Sequence, residues 1–343
     1  MTTVAIELND AEIRVADASG VVAREPGYAL VEGNDIVVGD EAYRQASLKP
    51  RHIHNQFWSE LSTQALPRSE SRPLNHADLA YTQLSKLWAG LDGGARDALF
   101  VVPSCFEREQ LALLLGIAKA CEIPVRGLVD AAVASTTLAH PGATLHHWDL
   151  GLHAAVLSEL SQEGGIERTG GETLPRRGLA ALREGWIGGI VQAFVEQSRF
   201  DPSHDAEGEQ ALLDSLDEFV ATVMDRDRAR LELEQNGVAY RAEIRRADLL
   251  RSSREVLGAL TQRLEKDLRD GEGDGAPVVV QASHRLTALP GFRESLERAE
   301  GVTLVALEPD AACLGALARL EQIPVGREGH RLVRRLDWAP DGA

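Results

Sequence analysis

Residues 98–135 read ALFVVPSCFEREQLALLLGIAKACEIPVRGLVDAAVAS. The apolar run at 98–102 ends at Pro103-Ser104 and reads as a buried strand. A helical pattern follows over 107–121, a second apolar strand over 125–129 and an alanine-rich helix over 130–139. Strand, helix, strand and helix in succession predict a partly parallel sheet with covering helices, because parallel neighbours need a crossover between them.

Upstream, TVAIEL (3–8) and EIRVAD (12–17) flank Asn9-Asp10 and read as a hairpin. Short strands are expected at 28–32 and 35–38, a surface loop at 66–75 (LPRSESRPLN), and a helix from Asn75 that carries Leu79, Leu84, Leu87 and Trp88. Downstream, TLHHWDLGLHAAVLSEL (144–160) repeats the opening pattern of a strand, a carboxylate, a short turn and a strand. Helices are expected at 179–198, 207–224 and 246–268, and Asn236-Gly237 marks a hairpin between 231–235 and 238–244. An acidic glycine-rich linker (DGEGDG, 270–275), a buried strand at 277–281, a strand at 302–307 and a helix at 310–320 close the pattern. A hairpin with a carboxylate near its turn therefore opens each half, which fits a duplicated, two-lobed α/β fold better than one continuous sheet.

The chain has 343 residues, 44% of them hydrophobic, and a net charge of −17. That length suits about two domains, and the acidic surplus argues against nucleic acid or an anionic membrane as partner, since both need a basic footprint. The three cysteines contain no C-x-x-C pair, so neither a disulfide framework nor a zinc ribbon is expected. A reducing, cytoplasmic setting follows, and no signal peptide or membrane span is read. Only four of the 36 cationic residues are lysines, at 49, 86, 119 and 266.

The order of the pieces resembles the superfamily of actin, sugar kinases and DnaK-type chaperone ATPases. Within it, the chain is most similar to the nucleotide-binding domain of the seventy-kilodalton heat-shock chaperones. VVGDEAYRQA (37–46), residues 101–135, VVVQASHRL (278–286) and EPDAACLGALA (308–318) carry the likeness, which runs from about 3 to 322. It implies a two-lobed actin-like ATPase fold made of duplicated ribonuclease-H-like domains, each with a mixed sheet and flanking helices. Lobe I is then 1–142, with core strands at 3–17, an inserted subdomain at about 20–75 and helices and strands at 76–142. Lobe II is 143–322, with its core at 143–195 and 276–322 and an inserted subdomain at about 196–275. Residues 323–343 are left as a tail, with no peptide-binding domain after them.

The resemblance also implies ATP or ADP with Mg²⁺ held between the lobes. Glu7, Asp130 and Asp149 stand where the family's catalytic carboxylates are, and Glu7 and Asp149 where its metal carboxylates are. Asn9, Asp10, Gly151, Leu152 and His153 fall on the two phosphate hairpins, and Gln281, Ala282, Ser283 and Arg285 on the adenosine motif. Several of these depart from the pattern: Asn9, Leu152, His153, Gln281 and Ala282 replace glycines, which let backbone N–H groups approach phosphate closely. A carboxylate at Asp10 would repel phosphate by up to about 4 kcal/mol per contact at an effective dielectric of 20. Segment 51–61, where the family's catalytic lysine would fall, has no lysine, only Arg51, His52 and His54 as cations. Helix 211–223 lacks the basic face that would clasp adenosine. Asp130 also suits a helix N-cap, and Arg285 either stacks on adenine or simply starts a helix. The leading expectation is a divergent chaperone-like pseudo-ATPase or weak nucleotide binder that works through protein partners. A functional ATP-driven switch is the alternative, with a small-molecule kinase and a filament former behind it.

Overall fold

The computed structural model describes residues 2–66, 74–91, 95–271, 276–325 and 330–338. The first half opens with the meander β1 (Thr2–Glu7), β2 (Ile13–Asp17) and β3 (Gly20–Glu25). A small sheet of β4 (Ala29–Glu32), β5 (Asp35–Val38) and β6 (Ile53–His54) follows, with the short helix α1 (Asp40–Tyr43) inside it. The chain continues through α2 (His76–Ala89), β7 (Ala95–Val102), α3 (Arg108–Ala120), β8 (Val125–Asp130) and α4 (Ala131–Ser135). Asn75 starts α2 with a reciprocal capping box to Asp78, which satisfies two of the orphan amides of the first turn.

The second half opens with another meander: β9 (Thr144–Leu150), β10 (Ala154–Ser161) and β11 (Ile166–Pro175). Helices α5 (Leu179–Ser198) and α6 (Ala206–Arg226), hairpin β12 (Arg228–Gln235) and β13 (Val238–Arg245), and α7 (Arg246–Gly271) come next. The hairpin turns at Asn236-Gly237, both with positive φ, as the sequence leads one to expect. β14 (Val278–Ala282), α8 (His284–Thr287), α9 (Phe292–Glu297), β15 (Val302–Ala306) and α10 (Ala311–Ala318) complete it.

The protein is a mixed α/β structure in which each half carries one six-stranded sheet. β1 pairs antiparallel with β2 and parallel with β7, while β3 and β8 extend the two sides. β9 does the same with β10 and β14, extended by β11 and β15. Strand order and sense thus match between the halves. The segment after 323, read from sequence as a tail, adds an edge to each sheet: β16 (Leu332–Val333) lies parallel to β8 and β17 (Arg335–Leu336) antiparallel to β11. Two-residue strands carry too little periodicity to be read from sequence.

Helix α4 stops at Ser135 rather than near 139, because Thr136 leaves the helix with extended backbone angles. Its hydroxyl stands 2.9 Å from the Ala132 carbonyl and 2.7 Å from Gln281 Oε1. Most of the loop expected at 66–75 and of the linker at 270–275 lies outside the described residues. No helix among the described residues is long and apolar enough to cross a membrane, and the three cysteines are free.

One core fills each half, with Phe57, Trp58 and Phe100 in the first and Trp148, Trp186 and Phe194 in the second. A third core lies on the seam between α4 and α10, built largely from small residues such as Ala5, Ala132, Ala134, Ala312 and Ala316. Gly315 makes that seam close: a Cβ there would lie 2.0 Å from the Ala134 carbonyl oxygen. Gly315→Ala is therefore expected to destabilise the protein by about 1–3 kcal/mol in urea denaturation, as overpacked sites do. Gly116→Ala, in the middle of α3 with open space at its Cβ, is expected instead to stabilise by up to about 1 kcal/mol through helix propensity.

Candidate functional site

The ends of β1 and β9 bring the two opening hairpins face to face, and Arg285, in the first turn of α8 after β14, reaches between them. Its Nη2 donates to Glu7 Oε1 at 2.5 Å and to both Asp149 oxygens at 3.1 Å, and its Nε donates to Asp149 Oδ1 at 3.2 Å. All three side chains are nearly enclosed, at 9%, 5% and 14% exposure for Arg285, Glu7 and Asp149. Burying a charge is costly unless it is paired and hydrogen-bonded, and here one guanidinium serves two carboxylates from opposite halves. Burial alone would raise the Asp149 pKa, but the Arg285 charge and hydrogen bonds outweigh it and hold the carboxyl well below the usual carboxylate range. The gap left among Glu7, His147, Asp149, Ser283 and Arg285 is about 10 Å³, room for at most a single water.

The remaining polar atoms of the hairpins bind each other across the same gap. Asn9 Nδ2 donates to Asp149 Oδ2 (3.0 Å) and to the Leu150 carbonyl (3.2 Å), while Asn9 Oδ1 accepts from the Ala11 amide at 2.9 Å. The Asp10 carboxyl accepts from the Leu152 amide at 2.6 Å and from the His153 amide at 3.3 Å. Gly151 lets it come so near, since a Cβ there would lie 2.4 Å from Asp10 Oδ1. Burial raises the Asp10 pKa despite these donors.

Glu7, Asn9, Asp10, Asp149, Gly151, Leu152 and Arg285 thus come together. Ser283 lines the gap beside them and the His153 amide belongs to the Asp10 contact, while the other side chains singled out from sequence are engaged elsewhere. Asp130 is fully buried and caps α4 through the Ala132 amide, while Ser104 Oγ and Arg168 Nε each donate to it at 2.7 Å. His153 turns its ring to the Asn55 carbonyl, with Nε2 at 3.0 Å. Gln281 faces Thr136 and His140, and Ala282 is packed within β14. Ser283 is buried, and its amide donates to the Trp148 carbonyl.

Sequence reasoning missed Arg14, Arg168 and His284. Arg14 is 4% exposed, hydrogen-bonds the Glu12 carboxylate and the Pro309 carbonyl, and lies 3.1 Å from His284 Nε2. Burial, then the Arg285 and Arg14 charges, push His284 down to about 3, which leaves its ring neutral and able to accept. A lone cation in the otherwise apolar run IRVA was the signal for Arg14. No such signal marks Arg168, in the strand IERTGGETLP, which shows no apolar alternation. Among the described residues, no group of three or more His, Cys, Asp or Glu is arranged to hold a metal ion. No protein-family model matches the chain, and no curated protein matches it.

Removing Arg285 leaves two buried carboxylates facing each other without a counter-charge. Arg285→Ala is expected to lose about 3–5 kcal/mol at neutral pH. Because the folded-state pKa of Asp149 is depressed, its contribution is present above the ordinary value of 3.8 and fades as pH falls. The gap between wild type and variant should therefore be wider at about pH 7 than at about pH 2 in urea melts. Asp10 has the opposite sign: its raised pKa means that the folded state loses stability as pH climbs through the folded value. Asp10→Asn, which keeps an acceptor for the Leu152 amide, should gain on wild type as the pH of a thermal melt rises from about 4 to 8.

Proposed function

We propose that this chain is a divergent member of the actin and DnaK-type chaperone superfamily, a pseudo-ATPase that works through contacts with protein partners. Five strands of equal order and sense in each six-stranded sheet, β3-β2-β1-β7-β8 and β11-β10-β9-β14-β15, support the fold assignment alongside the four resembling segments. The observation that carries the loss of ATPase function is Arg285, ion-paired at once to Glu7 and Asp149 in the gap between the hairpins.

The residues present do not fit a magnesium nucleotide. Mg²⁺ needs carboxylates free to bind it or its waters, whereas Glu7 Oε1 and both Asp149 oxygens here are occupied by one guanidinium. Phosphate needs backbone amides at the hairpin turn, and the Leu152 and His153 amides already donate to Asp10. The remaining gap of about 10 Å³ is far below what a triphosphate requires. A fold with its hairpins bound to each other in this way keeps the two halves in one arrangement and leaves its outer surfaces for recognition. A working ATP switch would need Arg285 and Asp10 both to withdraw.

Calorimetric titration with Mg-ATP is expected to show no saturable binding up to about 1 mM, and no phosphate release. Binding tighter than about 10 μM accompanied by turnover would overturn this reading.

A further inference from the structure

A cavity on the second half lies between α7 and α9 and shares no lining residue with the gap at Arg285. Its volume is about 790 Å³, within the range of pockets that take small organic molecules. Residues 247, 250, 254, 257, 258 and 261 repeat at three and four along α7, so one helix face forms a wall with Leu250 and Leu257 as its apolar part.

Four arginines line this cavity on a chain whose net charge is −17. Two of them are already neutralised: Arg246 pairs with Glu294, and Arg251 with Asp248 at 3.2 Å. Arg254 on α7 and Arg298 just after α9 have no hydrogen-bond or ion-pair partner among the described residues. These two exposed guanidiniums stand on two walls of a recess that Leu250, Leu257, Asp227 and Glu294 also line, and they can bind a phosphate or carboxylate group through paired N–H donors.

Gly258 points the same way. It sits in the middle of α7, where glycine costs about 1 kcal/mol relative to alanine. A Cβ at 258 would meet nothing within 4 Å, so no packing contact requires the glycine. It lines the cavity, so a larger side chain at 258 would have open space on that wall.

We propose that the α7–α9 cavity is a binding site for a small organic phosphate whose apolar body lies on Leu250 and Leu257 and whose anionic group is held by Arg254 and Arg298. The strongly acidic chain repels anionic bilayers, which favours a soluble ligand over a lipid headgroup. The site is independent of the proposed loss of ATPase function.

The test is a calorimetric titration with 2-naphthyl phosphate, with 2-naphthol and inorganic phosphate as the separate halves of that probe. Saturable binding below about 1 mM is expected for the intact probe, with each half at least about tenfold weaker. Gly258→Leu fills the cavity while favouring the helix, so it should keep or raise the melting temperature and lose about tenfold or more in affinity. The double variant Arg254→Gln, Arg298→Gln, with two exposed positions changed, should lose a similar factor. Absence of saturable binding, inorganic phosphate binding as tightly as the intact probe, or affinity unchanged in both variants would overturn the proposal. Sedimentation with phosphatidic acid vesicles separates the sources of phosphate: pelleting that Gly258→Leu abolishes would place the phosphate on a lipid and overturn the soluble assignment. Titrating Mg-ATP into Gly258→Leu as well distinguishes phosphate held in this cavity from nucleotide held between the hairpins.

Discussion

One guanidinium between two carboxylates governs the centre of this molecule. Arg285 leaves the end of β14, Glu7 ends β1 and Asp149 lies near the end of β9, so three strands from both halves converge on one buried charge cluster. A buried ion pair need not be more stable than a well-packed apolar substitute, but breaking it strands a charge in a low-dielectric interior. Its main effect is therefore on placement: the hairpins must sit where both carboxylates reach the same arginine. Asn9 and Asp10 then find partners across the gap in Asp149, Leu150, Leu152 and His153.

A second polar constraint works on the seam between α4 and α10. Arg319 is 2% exposed, and its guanidinium donates to the carbonyls of Val133, Ala134, Thr136 and Gly315. These are carbonyls that helix ends leave without intrahelical partners, and a cation there also meets the negative end of the helix dipole. Burial nevertheless pushes the Arg319 pKa down to about 10, since no carboxylate compensates for the lost water. The small residues of the seam follow from the same geometry, because Gly315 must lie against the Ala134 carbonyl before Arg319 can reach its acceptors. Strands β16 and β17 add a third tie by extending both sheets within five residues, Leu332 to Leu336.

Local chemistry was readable where pattern and punctuation agree. Val278 to Val280 is an apolar run that became part of a strand, Val278–Ala282, buried throughout. Asn236-Gly237 became a hairpin turn and Asn75 a capped helix start. Pattern failed at edges. β3 leaves Val21 and Val22 exposed, so its valines carry no inward-outward alternation. β11 contains Gly170 and Gly171, residues that weaken a strand pattern, yet they lie against Glu159 and the Leu157 carbonyl in a strand paired with β10. Edge strands need face only one neighbour and part of the core, so their side chains are free to look like loops.

The residues of the central cluster were all visible in the chain, and so was the absence of any lysine from segment 51–61. Secondary-structure order, the carboxylates at the hairpins and the acidic surplus are properties of short windows or of composition, and a linear reading captures them. That Arg285 pairs with both Glu7 and Asp149, that Asp130 belongs to Arg168 and Ser104, and that Asp10 takes the Leu152 and His153 amides could be decided only by folding. Each of these contacts joins groups between 26 and 278 positions apart in the chain, and which donor meets which acceptor depends on how two sheets are held against each other.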